Sequence, residues 1–404
     1  MLLYISLALG FGLAMTIGGN DVANSMATAV GAKAITVRQA VLIAAVLEFS
    51  GAFLFGTHVT STITKGILEP AFIGSQNALV FGAISALIGA FAWLVLATLG
   101  GMPVSTTHSI IGGMVGFGLI AGGLQAVNWV KMLMIVSSWI ISPLVGGFIA
   151  YVVFKLIAAS ILKKEDLMTA TKRYAPIFIS FAFFTIAFLF TVKTLKNPVN
   201  MSLFWGLLFF VISFVISSLL IRRFLKKKQT GDCYEVVEST FRKMQILTSC
   251  YVSFSHGAND VANAIGPLAV VYFALTAGGI GETVNIPSWM LAIGGFGIAL
   301  GVGLWGRKVM ATVGTQITTL NNTRGFSIDF AAATSVLIAS VFGMPVSTTH
   351  VVVGAVTGVG MARGFEAVNK GVLKNILWAW LVTVPVTAGI SGFVFYLFSK
   401  VFIM

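Results

Sequence analysis

Apolar residues run in long stretches along this chain, from LLYISLALGFGLAM at the start to LVTVPVTAGISGFVFYLF near the end. Runs of about 18 or more such residues are long enough to cross a bilayer as helices. The polar breaks mark crossings at 1–30, 40–62, 77–100, 103–122 and 130–161, a central pair at 174–192 and 199–221, and five more in the remainder. The pattern predicts an all-α polytopic membrane protein of about 12 transmembrane helices. Segment 103–122 also fits a re-entrant hairpin, and 129–162 is over-long for one upright crossing. No basic region precedes the first stretch and no A-x-A-like site follows it, so it reads as a span and not as a removable signal.

The polar breaks also repeat. GGNDVANS (18–25) matches GANDVANA (257–264), and MPVSTTH (102–108) returns unchanged at 344–350, followed in each copy by a Gly-rich run and AVN. Order and spacing agree, which predicts a first repeat over 1–162, a linker helix pair with basic loops over 163–243, and a second repeat over 244–404. Basic residues give the orientation. Lys33 and Arg38 follow the first span, whereas the matching loop GGIGETVNIP (278–287) has none; after the second span the bias reverses, with Arg307, Lys308 and Arg324 in the later half. Corresponding loops prefer opposite sides, so the repeats are expected to be inverted, with discontinuous or re-entrant helices. Loops 163–173 and 222–243 would then be cytoplasmic and both termini outside a cell membrane.

Composition sharpens this picture in two ways. The chain is 57% hydrophobic and 9% charged, against roughly a quarter charged in soluble domains, so lipid is its solvent. Its net charge of +13 suits cytoplasmic loops and not a nucleic-acid partner. The two cysteines, Cys233 and Cys250, form no disulfide framework or metal-ligand spacing.

Four of the 12 acidic residues, Asp21, Glu48, Asp260 and Asp329, fall inside apolar stretches. A carboxylate at membrane depth costs at least about 2.5 kcal/mol unless compensated. No Lys or Arg lies within a helical turn of Asp21 or Asp260, so a bound cation is the natural partner. Asn20, Asp21 and Asn24, with Asn259, Asp260 and Asn263, offer the oxygen ligands that hard cations prefer, and the adjacent glycines would let a helix unwind and add carbonyls. Hydrogen-bonded packing is the plainer alternative, and a stronger one for Glu48 and Asp329. His256 and His58 read as lone structural histidines.

Pro103 and Pro345 favour a break and a fresh helix start. Ser105, Thr106 and Thr107, and Ser347, Thr348 and Thr349, would occupy first turns whose amides lack intrahelical partners and whose dipole is positive. Such a turn either caps a helix or cradles a small oxyanion such as phosphate; two identical copies favour the cradle. Meeting near the midplane, they would form one pseudo-two-fold site beside the cations. His108 and His350 suit orienting hydroxyls, binding the anion, moving protons or packing. Thr64, Gln316, Thr318 and Thr319 lie at similar places in the halves and suit cation coordination or interhelical hydrogen bonds.

The paired Asp-Asn segments and the doubled PVSTTH resemble the signatures of the inorganic phosphate transporter (PiT) family, over essentially the whole chain. The resemblance implies secondary-active phosphate uptake driven by sodium or protons, with phosphate near the Ser-Thr-Thr segments, coupling ions near the Asp-Asn segments and functional acids at Glu48 and Asp329. The neutral oxygens beside the aspartates favour sodium symport by alternating access over proton coupling. Sulfate, or a metal-phosphate complex with a proton, is the alternative cargo. No cofactor is implied beyond transported sodium and phosphate, and a homo-oligomer is compatible. An intramembrane hydrolase is disfavoured because every candidate nucleophile appears twice, without G-x-S-x-G or H-E-x-x-H. An ion channel is disfavoured because inverted halves with broken helices mark alternating access.

Overall fold

A computed structural model describes residues 1–99, 104–227, 232–277, 285–313, 320–364 and 370–403. Among them are twelve helices: α1 (Leu2–Gly31), α2 (Val37–Gly66), α3 (Gln76–Leu99), α4 (Thr106–Gly122), α5 (Trp129–Ile157), α6 (Leu167–Leu189), α7 (Val199–Lys227), α8 (Cys233–Ala277), α9 (Ser288–Val313), α10 (Asn322–Val341), α11 (Thr348–Arg363) and α12 (Lys370–Phe398). Eleven are long and apolar enough to cross a membrane; α11, with 16 residues, is the other. The long segment after Asn128 is one helix, extended past Ile157 by a π turn over Ala158–Leu162.

Two hairpins modify a simple count of crossings. In the α3–α4 pair Gly82 lies under Phe117 and Gly113 against Ala86, so the helices are antiparallel and the chain returns to the face it entered from. The same holds for α10 and α11, where Ile328 shares a cluster with Val359, and Val336 with Val351. The tip of the second hairpin turns at Gly343, which has φ +69°, a conformation open to glycine at little cost.

Cross-contacts sort the connections into two faces. Arg242 Nε donates to Ala34 O at 2.9 Å, and Glu238 accepts from the amides of Asn322 and Thr323 at 2.7 and 3.2 Å, where it also meets the positive end of α10. On the other face Leu68 bridges Val127, Asn128 Nδ2 donates to Glu69 at 2.6 Å, Gln76 bonds to Ala274 O, and Phe81 stacks on Phe402. On the first of these faces Asp166 caps α6, and hydrogen bonds from Thr169 hold its carboxyl below the usual carboxylate range.

Two expectations need correction. The basic segment 222–243 is not all loop, because α8 begins at Cys233 and Val236, Val237, Phe241 and Met244 bury one face of its first turns. Nor do the glycines beside the Asp-Asn motifs unwind their helices. Both α1 and α8 are continuous there, and the glycines serve close packing instead: a Cβ at Gly18 would overlap the Ile298 carbonyl, and one at Gly257 the Glu48 carbonyl.

Helix pairings recur with the halves exchanged. α1 packs on α9 as α8 packs on α2, α4 on α12 as α11 on α5, and α3 on α12 as α10 on α5. Small residues permit this in the middle of the molecule, where Gly112 and Gly116 of α4 lie against α12, and Gly354 and Gly358 of α11 against α5.

Candidate functional site

The two heptapeptides end as matching helix starts. Ser105 and Ser347 are N-caps in extended conformation, φ −87° and −84°, and their side chains accept from the amides of His108 and His350 at 3.2 and 3.3 Å. All six hydroxyl residues, Ser105, Thr106, Thr107, Ser347, Thr348 and Thr349, are buried. Such a start leaves the first amides without helical partners and presents a partial positive charge. Pro103 lies outside the described residues.

The Asp-Asn motifs meet these tips by bonds that cross between halves. Asn24 Nδ2 donates to Thr349 Oγ1 at 2.8 Å, and Asn263 Nδ2 to Thr107 Oγ1 at 3.2 Å. Within each motif the same amide also donates to its aspartate, Asn24 to Asp21 Oδ1 at 3.2 Å and Asn263 to Asp260 Oδ1 at 3.0 Å. Asn20 Nδ2 donates to Thr98 Oγ1 at 2.7 Å, while Asn259 Oδ1 accepts from Ser340 Oγ at 3.5 Å. The tips themselves touch, since Thr107 Oγ1 donates to Val346 O at 3.1 Å, an oxygen that Asn259 Nδ2 also reaches at 2.8 Å.

Among the described residues, other contacts have no counterpart in the opposite half. Thr106 Oγ1 donates to Asp21 Oδ2 at 2.9 Å. His256, fully enclosed, places Nε2 at 2.8 Å from Asp260 Oδ2 and 3.8 Å from Asp21 Oδ2, and Nδ1 at 3.3 Å from Glu48 Oε2. Three carboxylates thus converge on one imidazole. Asp21, His256 and Asp260 each offer a metal-ligand atom, all within 4.8 Å of one another. The buried Asn263 Oδ1 makes no hydrogen bond, which leaves a hard oxygen of the kind that cations accept as a ligand.

The remaining candidates divide. Glu48 accepts from Ser25 Oγ at 3.0 Å and joins the cluster through His256. Asp329 stands apart from it, accepting from Thr28 Oγ1 at 2.6 Å and Ser249 Oγ at 2.5 Å. Thr64 Oγ1 donates to Thr60 O at 2.7 Å and Gly266 O at 3.3 Å, an interhelical bond away from the carboxylates. Gln316, Thr318 and Thr319 lie outside the described residues. His108 and His350 form a buried ring cluster: they meet edge to face at 4.5 Å, with Trp139 at 3.7 Å from His108 and Trp380 stacked at 3.4 Å on His350. His350 Nδ1 is 3.1 Å from Trp139 O.

Sequence reasoning missed His256 and the two tryptophans. A signal for His256 was present, because it stands one helical turn before Asp260 and so shares its face. Trp139 and Trp380 precede Pro143 and Pro385 at similar spacings in α5 and α12, but an apolar run hides them.

The sequence matches a family model described as the phosphate transporter family over residues 17–391. It is 54% identical over 396 residues to a Pyrococcus horikoshii protein named as a phosphate permease, covering 97% of this chain and 96% of that protein. It is 42% identical over 431 residues to the chloroplastic inorganic phosphate transporter 2-1 of Arabidopsis thaliana, covering 99% of this chain and 73% of that one. A solved structure of a sodium-dependent phosphate transporter superposes with a TM-score of 0.95 at 53% identity, covering 99% of both chains.

Proposed function

The chain belongs to the phosphate transporter family and carries phosphate across a membrane, and we propose that it does so as a sodium symporter working by alternating access. The observation that carries this reading is the pair of crossed bonds, Asn24 to Thr349 and Asn263 to Thr107. Each cation motif thereby shares atoms with the anion cradle of the opposite half.

Phosphate sits between the two helix starts, held by the hydroxyls of Ser105, Thr106, Thr107, Ser347, Thr348 and Thr349 and by first-turn amides. Sodium takes carboxylate oxygens from Asp21 and Asp260 and amide oxygens from Asn20, Asn24, Asn259 and Asn263. The coupling follows from hydrogen-bond accounting. Thr106 gives its one proton to Asp21 and so withholds it from an anion. Sodium on Asp21 neutralises that acceptor and releases the hydroxyl to phosphate, while its charge lowers the cost of burying a divalent anion.

Residues 1–162 and 244–404 act as inverted repeats joined by 163–243, a reading supported by the exchanged helix pairings and by hairpins that enter from opposite faces. The face bearing Lys33, Arg38, Arg242 and Arg324 is assigned to the cytoplasm of a cell membrane, with both termini outside. Rocking of one half on the other exposes the site alternately.

The test is phosphate uptake into proteoliposomes under an inward sodium gradient compared with an inward pH gradient. Concentrative uptake with sodium alone is expected. A second reading, proton coupling, is favoured by His256 between Asp21, Glu48 and Asp260; uptake with the pH gradient alone would select it and refute sodium symport.

A further inference from the structure

The helices α6, α7 and α8 enclose an apolar wedge that the transport site does not use. α7 packs along α6, where Phe181 and Phe210 meet edge to face at 5.2 Å and Gly206 lies beneath Phe184, but it barely touches α8. The gap between α7 and α8 is a cavity of about 440 Å³. Along α7 it is walled by Phe209, Ile212, Ile216, Leu220 and Phe224, a stripe at helical spacing that runs for about 22 Å. A second cavity of about 250 Å³ shares Ile179, Phe183 and Leu247 with the first and continues to Phe254.

Shape and chemistry narrow the occupant. A cavity of about 440 Å³ drawn out over about 22 Å is a slot with room for a hydrocarbon chain and too narrow for a helix of about 10–12 Å diameter. Its few polar atoms are spent on their own helices, Ser213 Oγ on Phe209 O at 2.6 Å and Thr240 Oγ1 on Val236 O at 3.0 Å. A peptide strand would therefore leave its backbone unsatisfied there. One end is cationic. Lys243 lines the wedge and holds Nζ 3.6 Å over the Phe224 ring, and among the described residues no carboxylate lies within 4.0 Å of it. Arg222, Arg223 and Lys226, all exposed, stand within a turn of Phe224.

We propose that this wedge binds one acidic glycerophospholipid, with an acyl chain between α7 and α8 and the headgroup phosphate on Lys243. Basic pockets between membrane helices on the cytoplasmic side recognise such headgroups by this combination of charge and apolar length. Only the choice of leaflet rests on the orientation proposed above.

The experiment is native mass spectrometry of the purified full chain, delipidated and then given equal phosphatidylglycerol and phosphatidylcholine. One phosphatidylglycerol per chain is expected, favoured by about fivefold, the weight of one cation near an anionic lipid. Lys243→Gln removes the preference, and Ile216→Trp, which fills the slot and leaves Lys243 in place, removes retention of both lipids. Equal retention by the unaltered chain, or unchanged phosphatidylglycerol retention in both variants, would overturn the proposal. So would a disulfide between two Ser217→Cys chains in a bilayer, which would put a second copy against the wedge.

Discussion

Asp260→Asn separates the charge of the cation site from its shape. Asp260 Oδ1 accepts from Asn259 Nδ2 at 3.1 Å and Asn263 Nδ2 at 3.0 Å, and an amide oxygen at that place takes over both bonds. Oδ2 faces His256 Nε2 at 2.8 Å, where the variant's amide NH₂ donates to the imidazole once the ring is in its neutral form. The loss in fold stability is therefore about 1 kcal/mol or less. Sodium loses far more. At about 4 Å between charges and an effective dielectric of about 20, one carboxylate contributes about 4 kcal/mol, which is roughly a thousandfold in affinity. Phosphate uptake into sodium-loaded gradients, measured against external sodium, is expected to collapse where the unaltered chain saturates, with the melting temperature close to unchanged. Asp21→Asn shifts the curve the same way. An Asp260→Asn protein with native melting and an unchanged sodium half-saturation would refute the assignment.

Gly257→Ala inserts a Cβ onto the Glu48 carbonyl, and since backbone cannot swing aside it is expected to cost about 1–3 kcal/mol or more, read as a lower melting temperature in detergent; an unchanged melt would show that α2 and α8 tolerate separation. Asn24→Ala and Thr349→Val form a double-mutant cycle across the two halves, with a coupling of about 0.5–3 kcal/mol expected in phosphate binding because the two side chains bond directly at 2.8 Å; additive losses would mean that the crossed bond does not serve the anion site.

Most of the candidate site was legible because it is written twice. The doubled heptapeptide located both helix starts, and the structure makes Ser105 and Ser347 their N-caps. Local chemistry sufficed there, since a hydroxyl before an apolar helix satisfies an orphan amide wherever it stands. What failed was tertiary. Glu48 reaches His256 because α2 and α8 touch backbone to backbone, Gly51 against Phe254 O and Gly257 against Glu48 O, and no periodicity along either helix encodes that approach. The glycines beside the aspartates were misread for a related reason. Glycine both loosens a helix and thins it, and only the neighbour decides which property is used.

The departures from two-fold symmetry give the site a direction. Repetition alone would build two equal cation positions around one anion. The two aspartates proposed to hold cations have unequal surroundings: Asp21 is held by the Thr106 hydroxyl, whereas Asp260 faces the His256 imidazole, itself backed by Glu48. In the proposed symport, a sodium ion arriving at Asp21 would displace a neutral donor that phosphate could use, and one arriving at Asp260 would contend with a ring that can carry positive charge. The hairpins differ in the same sense. Asp329 ties the α10–α11 hairpin to α1 through Thr28 and to α8 through Ser249, while the corresponding position of the α3–α4 hairpin is the buried Leu87. Displacing the second hairpin therefore breaks two hydroxyl–carboxylate bonds at Asp329, and displacing the first breaks one, from Thr106 to Asp21. An arrangement symmetric in shape but unequal in what each half must break has two end states of different energy, and an ion shifts the exchange between them only by as much as it binds one state more tightly than the other.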